Sequence, residues 1–297
     1  MKRNLIRQGT STLTLSMPSK WVKRNNLMPG SEVNVEEKEN TLKISLQETR
    51  KEKKSTEVLL DSNHEKHIKV ILRNLYRLGY DNILVKYKKE KTLEEVSTAI
   101  RQFLIGYEIT GTSPESCHIE NISEPIDENL EVILHRILFI IKELFSILTD
   151  DMSKKNLAHL AIVRERVHSV DRYHNYCLRM MTRQNAIQLT YTQLLTYSDL
   201  LAHSFLHLYE DSKDKLAEAR QVELIADISR SFAEIVKGLQ GKDLNIVTKN
   251  TRELNDAFHH EGLVMVESKG GILSYYLCEI IRLSYLCSSA AIGIILT

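Results

Sequence analysis

The pattern of apolar and polar positions changes twice along the chain, and its first section predicts strands. Alternation with the two-residue period of a strand occurs in four runs: residues 4–8, 11–16, 32–36 and 41–46. Between the two pairs, Pro18 suits the first turn of a helix, where its missing N–H costs nothing. Four short strands and one helical turn are too small to bury a core in one chain, so residues 1–47 are expected to need a partner.

The middle section predicts a small α/β unit over residues 57–124. It follows residues 47–56, which are charged, lack apolar side chains and are interpreted as a linker. Strands are predicted at 57–61, 82–87, 106–110 and 117–122, with helices at 64–78 and 93–104. No glycine-rich phosphate loop or dinucleotide motif occurs here, so the unit is interpreted as a connector or a ligand-sensing module.

The third section, residues 128–297, has the period of packed helices. Apolar residues three and four positions apart begin it: Leu130, Leu134, Ile137, Ile141, Leu144 and Leu148. Further helices are predicted at about 153–183, 186–210, 214–237, 243–266 and 271–296. The prediction places breaks between successive helices at Thr149–Met152 and at Gly238–Gly241. Six helices suggest two tandem three-helix units, about 128–212 and 213–297, so the predicted fold class is α+β and multidomain.

The last predicted helix is apolar enough to raise the question of a membrane span. Its only charges are Glu279 and Arg282, and each would cost about 2.5–3.5 kcal/mol at the centre of a bilayer. The small residues between 288 and 293 suit close helix packing equally well. A buried central helix or subunit contact is therefore favoured, without stable membrane insertion.

Charge is distributed unevenly. The whole chain carries a net charge of +1, but the first thirty residues contain six basic side chains and no acid before Glu32. The remainder must therefore carry −5. A basic head on a slightly acidic body indicates a surface for a polyanion, with nucleic acid considered before a membrane surface, and the alternative is a solvated charged face.

Cysteine usage and catalytic motifs narrow the function further. Cys117, Cys177, Cys278 and Cys287 show no Cys-x-x-Cys spacing, which predicts neither a zinc finger nor a disulfide framework and favours a cytoplasmic location. No motif of nucleophilic catalysis or phosphate binding occurs, so the chain is not expected to be an enzyme.

The head also carries a family resemblance. RQGTSTLTLSMPSKW at residues 7–21, followed by LMPGSEV at 27–33, resembles the AbrB/MazE/SpoVT swapped-hairpin DNA-binding family. The resemblance implies that hairpins of two chains interlock into one barrel, giving a homodimer that binds DNA. The implied DNA-binding residues are Lys2, Arg3, Arg7, Thr10, Ser11, Lys20, Lys23 and Arg24, whose charges and hydroxyls suit phosphate oxygens.

A second resemblance lies in the helices. SVDRY at 169–173, DLLAH at 199–203 and ELND at 253–256 resemble the acidic patches of the PhoU family, whereas IRLSY at 281–285 lacks both carboxylates. With GYDNI at 79–83, the chain resembles archaeal regulators that join an AbrB-like head to a PhoU-like body. This implies regulation of phosphate uptake, with a phosphate transporter or signalling protein as a further partner.

Metal binding is a separate hypothesis. Asp199, His203 and His207 are four residues apart and share a helix face, and Asp171 can approach them from the preceding helix. The candidate ligands for a divalent or ferric ion are Asp171, Asp199, His203, Glu253 and Asp256. The alternative is a polar helix flank with neutral histidines.

These observations predict a cytoplasmic, dimeric, DNA-binding transcriptional regulator whose helical body senses a signal or partner. One alternative is an accessory or signalling protein that does not bind DNA and docks on a phosphate transporter or kinase. Another is a metal-dependent hydrolase of the bundle core.

Overall fold

The structure is a computed structural model that describes residues 3–38, 41–46, 53–60, 67–89, 91–123, 130–184, 187–212 and 218–297. The chain forms two compact units, Met1–Glu52 and Lys53–Thr297. The first unit is called the head and the second the body.

The head consists of two hairpins and a short helix. Its elements are β1 (Leu5–Gln8), β2 (Thr12–Leu15), α1 (Ser19–Arg24), β3 (Asn34–Lys38) and β4 (Thr41–Ser45). β1 pairs with β2 and β3 with β4, both antiparallel, as two separate two-stranded sheets. The strands and helix predicted for this region therefore form, with ends that differ by one or two residues.

The head has no core of its own among its described residues. None of residues 3–38 and 41–46 whose burial is described is buried, and most of its large apolar side chains are exposed. Leu5 is 62% exposed, Leu42 66% and Met28 74%. So much uncovered apolar surface in one small unit is typical of a partner-binding face.

The body begins with the α/β layer, residues 53–123. Its elements are β5 (Ser55–Leu60), α2 (Ile68–Arg77), β6 (Asn82–Tyr87), α3 (Lys91–Phe103), β7 (Tyr107–Ser113) and β8 (Ser116–Asn121). The sheet order is β5-β6-β8-β7, with β5 parallel to β6 and the other pairs antiparallel. This is the strand and helix order predicted for the middle section.

Two predicted boundaries in the layer are wrong. Ser55 and Thr56 belong to β5 rather than to a linker, because the Lys54 backbone N donates to Asp81 Oδ2 at 2.8 Å and anchors the strand start. Gly106 is a turn residue with φ 80° rather than the start of β7, and its carbonyl accepts from the Ile122 backbone N. The alternation of side chains reveals neither the Lys54–Asp81 hydrogen bond nor the hydrogen bond to the Gly106 carbonyl.

The helical bundle completes the body. Its elements are α4 (Leu130–Ser153), α5 (Leu160–Gln184), α6 (Leu189–Asp211), α7 (Ala219–Gln240), α8 (Leu244–Ala257), a π-helical segment (Phe258–Gly262), α9 (Leu263–Lys269) and α10 (Gly271–Ile295). α4, α5 and α6 pack against one another, and α7, α8 and α10 do the same. Contacts between α6 and α10 and between α4 and α7 join the two sets.

The predicted break at Thr149–Met152 is wrong because α4 continues through it to Ser153, and α5 begins at Leu160 rather than at about 153. The predicted break at Gly238–Gly241 is correct only at its end, because α7 continues through Gly238 to Gln240 and Gly241 is its C-cap. Asp151 is buried near the end of α4, where it accepts hydrogen bonds from Tyr209 Oη at 2.8 Å and from the His159 backbone N at 3.2 Å. Gly238 lies inside α7, where a Cβ would come within 2.8 Å of Val247 Cγ2. The glycine therefore permits close packing of α7 on α8 and does not end the helix.

α10 is the one helix of the described chain that is long and apolar enough to cross a membrane. However, half of its most apolar window is buried, and α6, α7 and α8 all pack on it. Its buried side chains include Leu277, Ile281 and Ser284. These contacts are typical of a buried core helix, the interpretation that the sequence favoured for this segment.

α5 also joins the bundle to the α/β layer. Its C-terminal half carries Arg179, which is only 2% exposed and donates to Asp81 Oδ1 at 2.5 Å. The same guanidinium donates to the carbonyls of Tyr76 and Tyr80 and lies over the ring of Tyr107. α2 and α3 of the layer both pack on α5.

Candidate functional site

A cluster of ionisable side chains lies where α5, α6 and α2 meet. Asp171 of α5 and Asp199 and His203 of α6 each offer a ligand atom, and these atoms all lie within 4.8 Å of one another. Asp171 is buried, with a side chain only 4% exposed, whereas His203 is one third exposed. Helix periodicity places Asp199 and His203 on one face of α6, four residues apart. The structure thus brings together three of the five predicted metal ligands.

His174 belongs to the same cluster, although it is not among the ligands predicted from the sequence. It follows Asp171 by one helical turn, and its side chain is 5% exposed. His174 Nδ1 lies 3.2 Å from Asp199 Oδ2, yet neither ring nitrogen has a hydrogen-bond partner of good geometry. The signal that could have identified it is the three-residue spacing from Asp171, which places both residues on one helix face.

Two arginines of α2 approach the carboxylates from the α/β layer. Arg73 Nη1 lies 3.6 Å from Asp171 Oδ1, and its guanidinium lies 4.9 Å from the Phe103 ring centroid. Arg77 follows one turn later on the same helix face, and its Nε donates to Asn175 Oδ1 at 2.7 Å. Sequence reasoning missed both arginines because they are about one hundred residues from Asp171 along the chain.

The pKa values reflect this crowding of charges. Burial raises the pKa of Asp199, but His174, His203 and Arg77 outweigh it and hold the pKa below its ordinary value. The hydrogen bond to Asp171 raises the pKa of His203, although burial opposes it. Burial, together with the nearby Arg73, lowers the pKa of Arg77.

The remaining metal candidates lie elsewhere. Glu253 and Asp256 are about half exposed on α8, where they face Lys249 and Arg252 of the same helix. No group of three metal-type donors in the described chain includes either residue. His207 stacks on the ring of Tyr276 and is half exposed, outside the cluster.

The predicted DNA-binding residues lie on the head, except that Lys2 falls outside the described residues. The other seven are all exposed: Arg3, Arg7, Thr10, Ser11, Lys20, Lys23 and Arg24. Arg7 Nη2 donates to the Thr10 carbonyl at 2.7 Å and so braces the loop between β1 and β2. Lys23 and Arg24 occupy the last turn of α1, where basic side chains suit the helix dipole.

Comparison with known families concerns the same region. Residues 6–57 match the family model described as antidote-toxin recognition MazE, bacterial antitoxin. The head carries a MazE-type domain. No curated protein and no solved structure shows a significant match to the chain.

The match confirms the MazE part of the predicted resemblance and extends it ten residues beyond the predicted boundary at 47. A MazE-type head is compatible with DNA binding and with self-association. The PhoU resemblance of the bundle and the interlocked barrel stay predictions.

Proposed function

We propose that this protein is a cytoplasmic, homodimeric DNA-binding regulator whose MazE-type head binds DNA and whose body senses a signal. The observation that carries the proposal is the coincidence of a MazE-type domain with exposed basic side chains in residues 3–30, a segment without acidic residues. Lys and Arg side chains release counterions from DNA phosphates, which gives affinity independent of base sequence. The hydroxyls of Thr10 and Ser11 suit phosphate oxygens in the same loop.

Self-association through the head is supported by its lack of buried residues. Leu5 and Leu15 are paired across the first hairpin, and both are exposed, as is Leu13. A second copy that covers these side chains would supply the core that one head lacks.

The decisive test is duplex DNA binding by the full chain across a salt series. We expect the logarithm of affinity to fall by about 0.9 per phosphate neutralised for each unit of the logarithm of salt concentration. Lys20→Ala/Lys23→Ala should weaken binding to every sequence and flatten this slope. Lys88→Ala/Lys142→Ala removes the same charge from exposed positions of the body and serves as control. Equal slopes in both double variants would place the DNA contacts elsewhere or leave the head as a dimerisation unit.

Dimerisation is tested separately by sedimentation velocity. Leu5→Asp should shift the full chain toward the monomer, because it introduces a charge into the surface that the second head covers. Phe139→Asp, at a similarly exposed position on α4, is the matched control. A Leu5→Asp variant with unchanged sedimentation would count against a dimer formed through the head.

The PhoU resemblance extends the proposal to regulation of phosphate uptake, with a transporter or signalling protein as partner of the body. The bundle supports it through two sets of three mutually packed helices. Transcript measurement after deletion of the gene is the test. Transporter transcripts that respond normally to phosphate limitation would contradict this role.

A further inference from the structure

The carboxylates of the cluster are already balanced by positive charge. Asp171 and Asp199 carry two negative charges, and Arg73 and Arg77 carry two positive charges. Arg77 interacts electrostatically with both carboxylates, and Arg73 approaches Asp171 directly. A divalent cation held by Asp171, Asp199 and His203 would therefore leave two positive charges uncompensated in a largely buried place.

Several buried polar atoms of the cluster lack hydrogen-bond partners. They are Arg73 Nε, Asp199 Oδ1 and both ring nitrogens of His174. Buried polar atoms in folded proteins are nearly always paired with protein groups or water, so these atoms offer donors and acceptors to a polar ligand that enters the cluster. His174 is the most deeply shielded of these residues: its side chain is 5% exposed, and its Nδ1 lies 3.2 Å from Asp199 Oδ2 without good hydrogen-bond geometry.

A cation could displace an arginine, but both arginines are held in place. The Arg73 guanidinium lies over the ring of Phe103. The Arg77 guanidinium is tied to Asn175, which is fully buried and donates to the Phe103 carbonyl at 3.4 Å. Movement of either side chain would disturb the contact between α5 and the α/β layer, so a negative ligand that enters with the cation is favoured.

We propose that the cluster binds a divalent cation together with a doubly charged tetrahedral oxyanion. Asp171, Asp199 and His203 hold the cation, with His174 beside Asp199, and the oxyanion bridges the cation and the two guanidinium groups. Guanidinium forks match such oxygens in geometry, and the second pair of charges makes the site neutral. This inference deepens the proposed function, on which it rests, by naming the chemical class of the signal that the body senses.

The test is calorimetric titration of the full chain with Mn²⁺ in chloride, in sulfate and in inorganic phosphate, at equal ionic strength. We expect Mn²⁺ to bind at least tenfold more tightly when one of the oxyanions is present. Response to phosphate alone, or to both oxyanions, distinguishes a selective site from a general one, and either supports the proposal. Equal affinity in all three buffers, or no binding in any of them, would overturn it.

Variants identify the groups responsible. Arg73→Gln/Arg77→Gln should bind Mn²⁺ more tightly in chloride and lose the effect of the oxyanion, whereas Asp199→Asn should bind Mn²⁺ in no buffer. Arg73→Lys keeps the charge without the fork and should retain part of the effect. Arg101→Gln, at an exposed position of α3, is the control and should behave as the unaltered protein. An oxyanion effect that persists in the double variant would contradict the role of α2.

Failure here is distinguishable from failure of the proposed function. The salt dependence of DNA binding reports on the head and needs no cation. A protein that binds DNA as proposed but binds Mn²⁺ without regard to the anion would refute only the present inference.

Discussion

The two sets of packed helices in the body use related positions in opposite ways. In the first set, Asp199 and His203 face Asp171 in a polar cluster. In the second, the places on α10 that lie equally far from the helix start hold Ile281 and Tyr285, and Ile281 is fully buried among apolar side chains. The difference teaches that the packing scheme alone does not bring ionisable side chains together. Among the described residues, the group of three metal-type donors lies in the set that also contacts the α/β layer.

Among the variants that test this comparison, truncation of Ile281 should have the largest effect on the free energy of unfolding. Ile281→Ala is expected to lower the free energy of unfolding by about 2–5 kcal/mol, because it leaves a cavity in a packed core. Chemical denaturation measures the change. Leu296→Ala, at a position 68% exposed just after the same helix, should change it far less. Similar losses of unfolding free energy in both variants would contradict a tightly packed apolar core around Ile281.

The turns between the first two helices of each set provide the next test. Asp151 is buried before the turn that joins α4 to α5, and its carboxylate accepts from Tyr209 and His159. Asp151→Ala should cost about 1–3 kcal/mol of unfolding free energy, since it leaves the buried Tyr209 hydroxyl unpaired. Asp150→Ala removes the exposed neighbouring carboxylate and is the control. An Asp150 variant as unstable as the Asp151 variant would refute this account.

The corresponding turn in the second set depends on a helix cap. Asp243 Oδ1 accepts from the backbone N of Asn245 and of Ile246 at the start of α8. Asp243→Ala should therefore lower the unfolding free energy by about 0.5–2 kcal/mol. Asp243→Ser, which keeps a capping oxygen, should restore most of the loss when measured in the same denaturation experiment. Equal stability of the Ala and Ser variants would show that the cap contributes little.

The smallest effect is expected at Asp256. It is half exposed and lies 3.9 Å from Arg252 of its own helix, so Asp256→Ala should change the unfolding free energy by less than about 0.5 kcal/mol. After equilibration with Mn²⁺ and phosphate and removal of free metal, the same variant should hold as much Mn²⁺ as the unaltered protein in elemental analysis, whereas Asp199→Ala should hold none. Loss of the metal from the Asp256 variant would mean that the second set also binds a cation.

The local pattern of apolar and polar residues predicted most strands and helices. It failed where contacts between residues distant in sequence determine the structure. The three- and four-residue spacing from Leu130 to Leu148 predicts α4, but the continuation of α4 to Ser153 accompanies bonds to Asp151 from Tyr209 and His159. In the same way, spacing along α6 predicts that Asp199 and His203 share a face. It cannot predict Arg73 and Arg77, which reach the cluster only because α2 packs on α5.

The burial of Arg179 against the α/β layer bears on which parts of this chain could fold alone or be exchanged by recombination. Its partners Asp81, Tyr76 and Tyr80 all belong to the layer, so a bundle that began at residue 130 would lack all of them. Asn175 would lose Arg77 and the Phe103 carbonyl in the same cut. We therefore expect the bundle to be no free-standing module: recombination could exchange the head at the boundary near residue 52, whereas the layer and the bundle would have to be passed on together.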